Sequence, residues 1–349
     1  MGDLVPFQEE SFLEYMNTVV RDWLRESVEE RMLTSFDGKR ICYFRALNPD
    51  AKAVIVMLHG FCGFFGKFHE VAYDFYQSGY SVYFLEQRGH GGSGRSVEEP
   101  DLVDVGDFSE YVEDLKCLMD KVVVPENSSL LRRAAARGAD GMMSGRGRGV
   151  LPLFLFGHSM GGCVSTLFLE KYPGYFRAAV LSSPMLKLGT YGIPGWVTSG
   201  NIAIAKLLRR GFHPFPGGKP FDGTPDLEGS GSVSEVRYNY QFALRIDPAA
   251  GSRNTMNRGT NRWLWAARSA TDRARRMEAL IKIPLLVCQA GNDAYVDNDG
   301  LREIAQNAPD AKLRVFPEAK HEIFASDPET LEKYYREVLG FFAEQERKV

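Results

Sequence analysis

No run of apolar residues in this chain approaches the ~20 needed to cross a bilayer, which argues against a membrane span. The opening, MGDLVPFQEESFLEYMN, has no cationic stretch ahead of an apolar core, so no secretory leader is expected. Position 6 is proline where an acylation signal wants Ser or Thr, so Gly2 is not expected to carry a lipid. Net charge is only −3, which gives no general attraction to nucleic acid. Cysteine is scarce: five residues, at 42, 62, 117, 163 and 288, odd in number and scattered. None has metal-ligand spacing. Most sit in apolar runs, as the reduced thiols of a cytoplasmic protein do.

What is present is a chain of 349 residues with ordinary apolar and charged content, long enough to bury a large core. Residues 9 to 26 carry Phe12, Tyr15, Met16, Val19 and Trp23 at helical spacing. KRICYFRAL reads as a strand, and KAVIVMLHG (52–60) as a strand buried on both faces. FHEVAYDFYQSG reads as a helix closed by Gly79, YSVYFLEQRG as a strand, and DFSEYVEDLKCLMDKVVV as an amphipathic helix. LPLFLFG, AAVLSSP, IPLLVCQAG and KLRVFPEA are further strands, and DPETLEKYYREVLGFFAEQE is a closing helix. Strands alternating with helices predict an α/β fold, a mostly parallel sheet with helices on both faces.

Two segments break this rhythm. Residues 131–149 hold five arginines, five glycines and one acid, and 126–149 is expected to be a flexible Arg/Gly-rich insertion. The stretch 186–280 is too long for a simple crossover and is expected to form a mainly helical cap. The core is then split into 1–185 and 281–349. Residues 201–280 carry 13 Lys+Arg against 7 Asp+Glu, so the cap is basic on an acidic body. Within it, IPGWVTSGNIAIAKLLRRGF (193–212) reads as an amphipathic flap that touches lipid aggregates; an ordinary packed cap helix is the alternative.

The chemistry gathers at GHSMG (157–161). It matches G-x-S-x-G, with a strand before it and a helix after it, as that motif requires. A turn this sharp excludes side chains beside the serine and lifts the Ser159 hydroxyl above the sheet at a helix N-terminus. Serine needs a base. Of six histidines, His321 in FPEAKHEIF lies on a loop after the last strand. His59, His90 and His158 sit in turns, where they are expected to stabilise loops. The imidazole needs an acid to orient it, and Asp293 lies just past the preceding strand, with Asp297 as the rival. The order Ser159, Asp293, His321 is that of α/β-hydrolases. The oxyanion donors are expected to be the backbone N–H groups of Met160 and, from HGFCG, Phe61.

HGF, EQRGHGGSGR, GHSMGG, GNDAYVDN and KHEIF together resemble the monoacylglycerol lipase and lysophospholipase family of serine α/β-hydrolases, its bacterial lysophospholipase branch in particular. The resemblance implies hydrolysis of the acyl ester of single-chain glycerolipids, with no metal and no organic cofactor. It makes Ser159 the nucleophile, His321 the base and Asp293 its orienting acid. Lysophospholipid or monoacylglycerol is then the expected substrate, and a cytoplasmic location with peripheral contact to a membrane's inner face or a micelle is expected. Arginine grips phosphate by paired hydrogen bonds. Trp196, Arg237, Arg245, Arg258 and Arg262, among the cap aromatics, are therefore expected to bind substrate, against the alternative of solvated arginines. A carboxylesterase of small or medium-chain esters, a proline-releasing aminopeptidase and a non-catalytic lipid-binding protein stay open as alternatives. The basic cap argues against the aminopeptidase, and the complete triad against the last.

Overall fold

The computed structural model describes residues 8–128, 150–189 and 208–348. Its strands are β1 Val28–Thr34, β2 Arg40–Ala46, β3 Ala53–Leu58, β4 Tyr80–Leu85, β5 Leu102–Val103, β6 Leu153–His158, β7 Ala178–Ser182, β8 Arg258–Gly259, β9 Leu285–Ala290 and β10 Ala311–Phe316. Its α-helices are α1 Glu9–Tyr15, α2 Arg21–Ser27, α3 His69–Gln77, α4 Ser109–Leu118, α5 Met160–Lys171, α6 Glu235–Arg245, α7 Asn261–Ala274, α8 Asp299–Asn307 and α9 Pro328–Arg347.

Eight strands make one sheet in the order β1-β2-β4-β3-β6-β7-β9-β10. Pairing is parallel from β4 through β10, and antiparallel where β2 meets β4 and β1. The central strands β3, β4, β6 and β9 are buried along their whole length. That explains their unbroken apolar runs: both faces are covered. One face packs α4, α5 and α7 through residues such as Leu115, Val164 and Trp263. The other packs α1, α2, α3 and α9 through Phe12, Trp23, Phe75 and Phe342.

The structure differs from the reading in two places. Strand β1, VEERMLT, was not expected, because its charged residues hide the alternation. It is an edge strand paired residue for residue with β2, from Val28 opposite Ala46 to Thr34 opposite Arg40, and charge suits an edge. The helix expected over 9–26 is α1 and α2 joined by a wider π turn, Met16–Val20. Residues 129–149 of the Arg/Gly-rich segment lie outside the described residues, as do Trp196 and the flap up to 207.

Between β7 and β9 the chain leaves the sheet and returns, and α6, β8 and α7 belong to this inserted stretch. Strand β8 pairs in parallel with β5 of the body. Around that small ladder, arginines of the insertion meet acids of the body. Arg258 reaches Asp101 (2.9 Å), Arg262 reaches the buried Asp104, and Arg273 reaches Asp107 (3.0 Å). Arg237 binds Glu70 through two nitrogens, at 2.9 and 2.8 Å, with both groups buried. The opposite charges of insertion and body are therefore used on one another.

One acid near this seam, Glu170, has no ion-pair partner among the described residues, with Arg273 acting on it only from a distance. Glu170, at the C-terminal end of α5, is buried, and burial together with nearby Glu278 pushes its pKa up to about 8. Below pH 4.5 the carboxyl is protonated in both folded and unfolded chains. As pH rises toward 8 the unfolded chain ionises while the folded one keeps its proton, so stability is lost. Glu170→Gln removes that loss. It is expected to stabilise by several kcal/mol, at most about 5, at pH 9 and by almost nothing at pH 4, measured by urea unfolding.

Candidate active site

Ser159 stands between β6 and α5 with φ 53° and ψ −118°, a conformation L-residues rarely adopt. The surrounding glycines make it attainable. A Cβ at Gly161 would lie 2.5 Å from Leu58 O and 2.6 Å from His59 O, and one at Gly162 would lie 2.6 Å from Pro184 Cβ. A Cβ at Gly157 would strike Ser165 Oγ. Backbone bonds then fix the turn: Ser159 N–H donates to Ser182 O at 3.0 Å, and Met185 N–H donates to Ser159 O at 2.9 Å.

His321, on the loop after β10, brings its Nε2 to 2.8 Å from Ser159 Oγ. Its Nδ1 lies 2.7 Å from Asp293 Oδ2. A carboxylate only accepts, so Nδ1–H donates to Asp293, and Nε2 is free to accept from the serine hydroxyl. The Asp293 side chain is fully buried. Its other oxygen accepts from Tyr295 N–H (2.8 Å) and Val296 N–H (3.1 Å), which fixes the carboxylate plane. Asp297 points elsewhere, to Lys187 Nζ at 2.7 Å. The structure thus brings Ser159, His321 and Asp293 into one line and leaves the rival acid outside it.

Met160 is the first residue of α5, so its N–H has no acceptor within the helix. Phe61 lies on the loop after β3, and its N–H has no acceptor among the described residues. That loop is close to the serine: a Cβ at Gly60 would lie 2.9 Å from Ser159 Cβ. The Phe61 ring packs on Trp263 of α7, with centroids 4.2 Å apart.

The turn histidines hold loops. His59 Nδ1–H donates to Gly60 O (2.7 Å), and its Nε2 accepts from Gln87 N–H (2.9 Å). Burial pushes its pKa down to about 4, so it is neutral. His158, with its ring 4.9 Å from that of His321, is driven well below the ordinary range by burial first and by the His321 charge second. His90 Nδ1 faces Arg88 O at 3.1 Å.

The arginines expected to bind substrate are placed differently. Arg237, Arg258 and Arg262 each have a carboxylate partner, Glu70, Asp101 and Asp104. Arg245 donates to Met256 O and to Asn257 Oδ1, and its guanidinium lies 4.1 Å from the Phe221 ring. The physical reason is proximity: acids of the body lie beside Arg237, Arg258 and Arg262, while Arg245 is held by backbone and amide oxygens of the insertion itself. Sequence reasoning gave no role to Glu86. It is buried at the end of β4, and its carboxylate accepts from Phe65 N–H (3.1 Å) and Gly92 N–H (2.6 Å), bracing the Phe61 loop against RGHGG. The signal was an acid at a strand end beside a glycine-rich turn.

The family described as "Serine aminopeptidase, S33" (Hydrolase_4) matches residues 49–136 and 141–329. A probable lysophospholipase L2 of Haemophilus influenzae is 26% identical over 300 residues, 82% of this chain and 84% of its own length. A monoacylglycerol lipase of Mycolicibacterium smegmatis is 28% identical over 311 residues, 86% of this chain and 92% of its own. Among solved structures, a soluble variant of Saccharomyces cerevisiae monoglyceride lipase in complex with a substrate analog has TM-score 0.66 and 20% identity, covering 91% of this chain and 96% of that one.

Because a side chain at 161 would press on two backbone carbonyls, Gly161→Ala must displace either the serine turn or the loop after β3. It is expected to cost about 1–3 kcal/mol of stability. Labelling of Ser159 by a fluorophosphonate probe should slow at least about tenfold, since a small misplacement of reacting groups costs that much or more. Labelling at the wild-type rate would show that the turn tolerates the methyl group.

Proposed function

The chain belongs to the serine aminopeptidase S33 family, and on that premise we propose that it is a serine ester hydrolase that cleaves the acyl ester of single-chain glycerolipids through an acyl-enzyme. The observation that carries this reading is the Ser159–His321–Asp293 line, with Met160 opening α5 and the loop of Gly60 and Phe61 packed close to the serine. Ser159 Oγ attacks the ester carbonyl while His321 Nε2 takes its proton. The Phe61 and Met160 N–H groups receive the developing oxyanion. The protonated His321 then gives its proton to the departing alcohol. Water, activated by the same nitrogen, hydrolyses the acyl-serine and releases the fatty acid. Asp293 holds the tautomer and stabilises the imidazolium.

The glycerolipid substrate is supported by the names of the relatives, lysophospholipase L2 and monoacylglycerol lipase, which span most of this chain. Peptide amine recognition is less well supported. Glu70, Asp101 and Asp104, acids of the body that face the insertion, are each taken by an arginine. With Arg237, Arg258 and Arg262 so occupied, a phosphate head group gains no support from them, and a neutral glycerol head serves equally well. The 186–280 stretch is read as the cap over the site, and the exposed Leu208 and Phe212 beside exposed Arg209 and Arg210 support peripheral contact with a lipid surface.

Three measurements test this. Ser159→Ala and His321→Ala should each lower ester turnover by about 10³-fold or more with an unchanged circular dichroism spectrum, because the groups act as a unit. Side by side, 1-monooleoylglycerol and lysophosphatidylcholine should both be hydrolysed faster than p-nitrophenyl acetate; turnover of the short ester alone would favour a general carboxylesterase. Substituting Arg258 or Arg262 by alanine should leave the ratio of the two lipid activities unchanged.

A further inference from the structure

Glu322 directly follows His321 and is buried, yet it holds a charge. Its carboxylate takes Lys67 Nζ on one oxygen and the Ser232 hydroxyl on the other, at 3.0 Å. Burial alone would raise its pKa, but the Lys67 ammonium and the Ser232 hydrogen bond outweigh burial and hold it below the ordinary range. Its two side-chain partners come from two other parts of the molecule. Lys67 lies in the short turn Phe65–Phe68, directly after the loop of Phe61. Ser232 belongs to the insertion. The backbone adds to the junction: Glu322 N–H donates to Gly231 O at 2.8 Å, and Val233 and Ser234 N–H groups donate to Ala325 O at 2.9 Å. Gly231 is packed so closely that a Cβ there would lie 2.9 Å from Glu322 Cγ and 3.3 Å from His321 Cβ.

We propose that Glu322 is a positioning residue for His321: bound to Lys67 and Ser232, it locks the histidine loop to the Phe61 loop and to the insertion, and its charge cancels that of Lys67 at the imidazole. The inference rests on His321 being the base. The imidazole must gain a proton when serine attacks, and an uncancelled ammonium nearby would oppose that. The other groups facing His321 are Asp293 at Nδ1, Ser159 at Nε2, and the rings of His158 (4.9 Å) and Tyr295 (5.1 Å). Lys320 precedes it, with its ammonium turned to Leu227 O and Glu228 O. Of these charges, only the Lys67–Glu322 pair joins the histidine loop to the Phe61 loop.

The test is the pH profile of kcat/KM for p-nitrophenyl butyrate, with wild type, Glu322→Gln and the double variant Lys67→Met/Glu322→Gln. Glu322→Gln should lower kcat about tenfold and leave KM within about twofold. Its acid limb should move to lower pH by about 0.5 to 1 unit, as an uncancelled cation dictates. In the double variant the limb should return to the wild-type position while kcat stays low, because the lock is still broken. A merely structural pair predicts no such return. An unmoved limb in Glu322→Gln, or a double variant displaced further, overturns the proposal. If Glu322→Gln does not fold, Lys67→Arg against Lys67→Met carries the test: Arg should keep kcat, and Met should lose about tenfold with KM unchanged. Ser159→Ala run in parallel separates the two readings: residual full turnover there would remove the catalytic assignment itself, whereas its loss with an unmoved Glu322→Gln limb would remove only this inference.

Discussion

Everything at the site depends on one backbone residue held at φ 53°. A serine in that conformation costs energy that the surroundings must supply. They do so by close packing: the Leu58 and His59 carbonyls at the end of β3 press against Gly161, Pro184 against Gly162, and the Ser182 and Met185 backbones bond to Ser159 itself. The same approach brings the loop of Phe61 to the serine. The turn is therefore both the device that presents the hydroxyl and the reason the Met160 N–H, at the start of α5, follows directly after it.

Charge organises the rest. The sheet ends carry the site, and the insertion lies over the body through pairs such as Arg237–Glu70 and Arg262–Asp104. Exposed ion pairs contribute little, but pairs with a fully buried partner are another matter, since removing one member strands a charge. These pairs are weak evidence of stability and good evidence of registry: each sets where the insertion sits on the body.

The legible parts of the sequence were those governed by neighbours in the chain. An apolar run, a glycine-flanked serine and a helical stripe are local patterns, and the corresponding strand, turn and helix are present at 153–171. Its place just past the preceding strand nominated Asp293 over Asp297, four residues further on, and it is Asp293 that meets His321. What was not legible depends on partners far away. Arg237 looked like a free cation until Glu70, 167 residues earlier, was placed on it. Glu322 gained meaning only from Lys67, 255 residues away. Strand β1 was hidden because its partner β2, not its own composition, makes it a strand.

The hydroxyl and the imidazole that meet at 2.8 Å are 162 residues apart in the chain, and the imidazole arrives after β10, the last strand to join the sheet. Contacts of such separation form late, because loop closure must precede them. A ribosome adding about 5–20 residues per second would therefore expose the serine turn many seconds before its base exists. The nascent chain is chemically silent for that interval. On the proposed mechanism a reactive hydroxyl appears only once the His321 loop that follows β10 is in place beside Ser159.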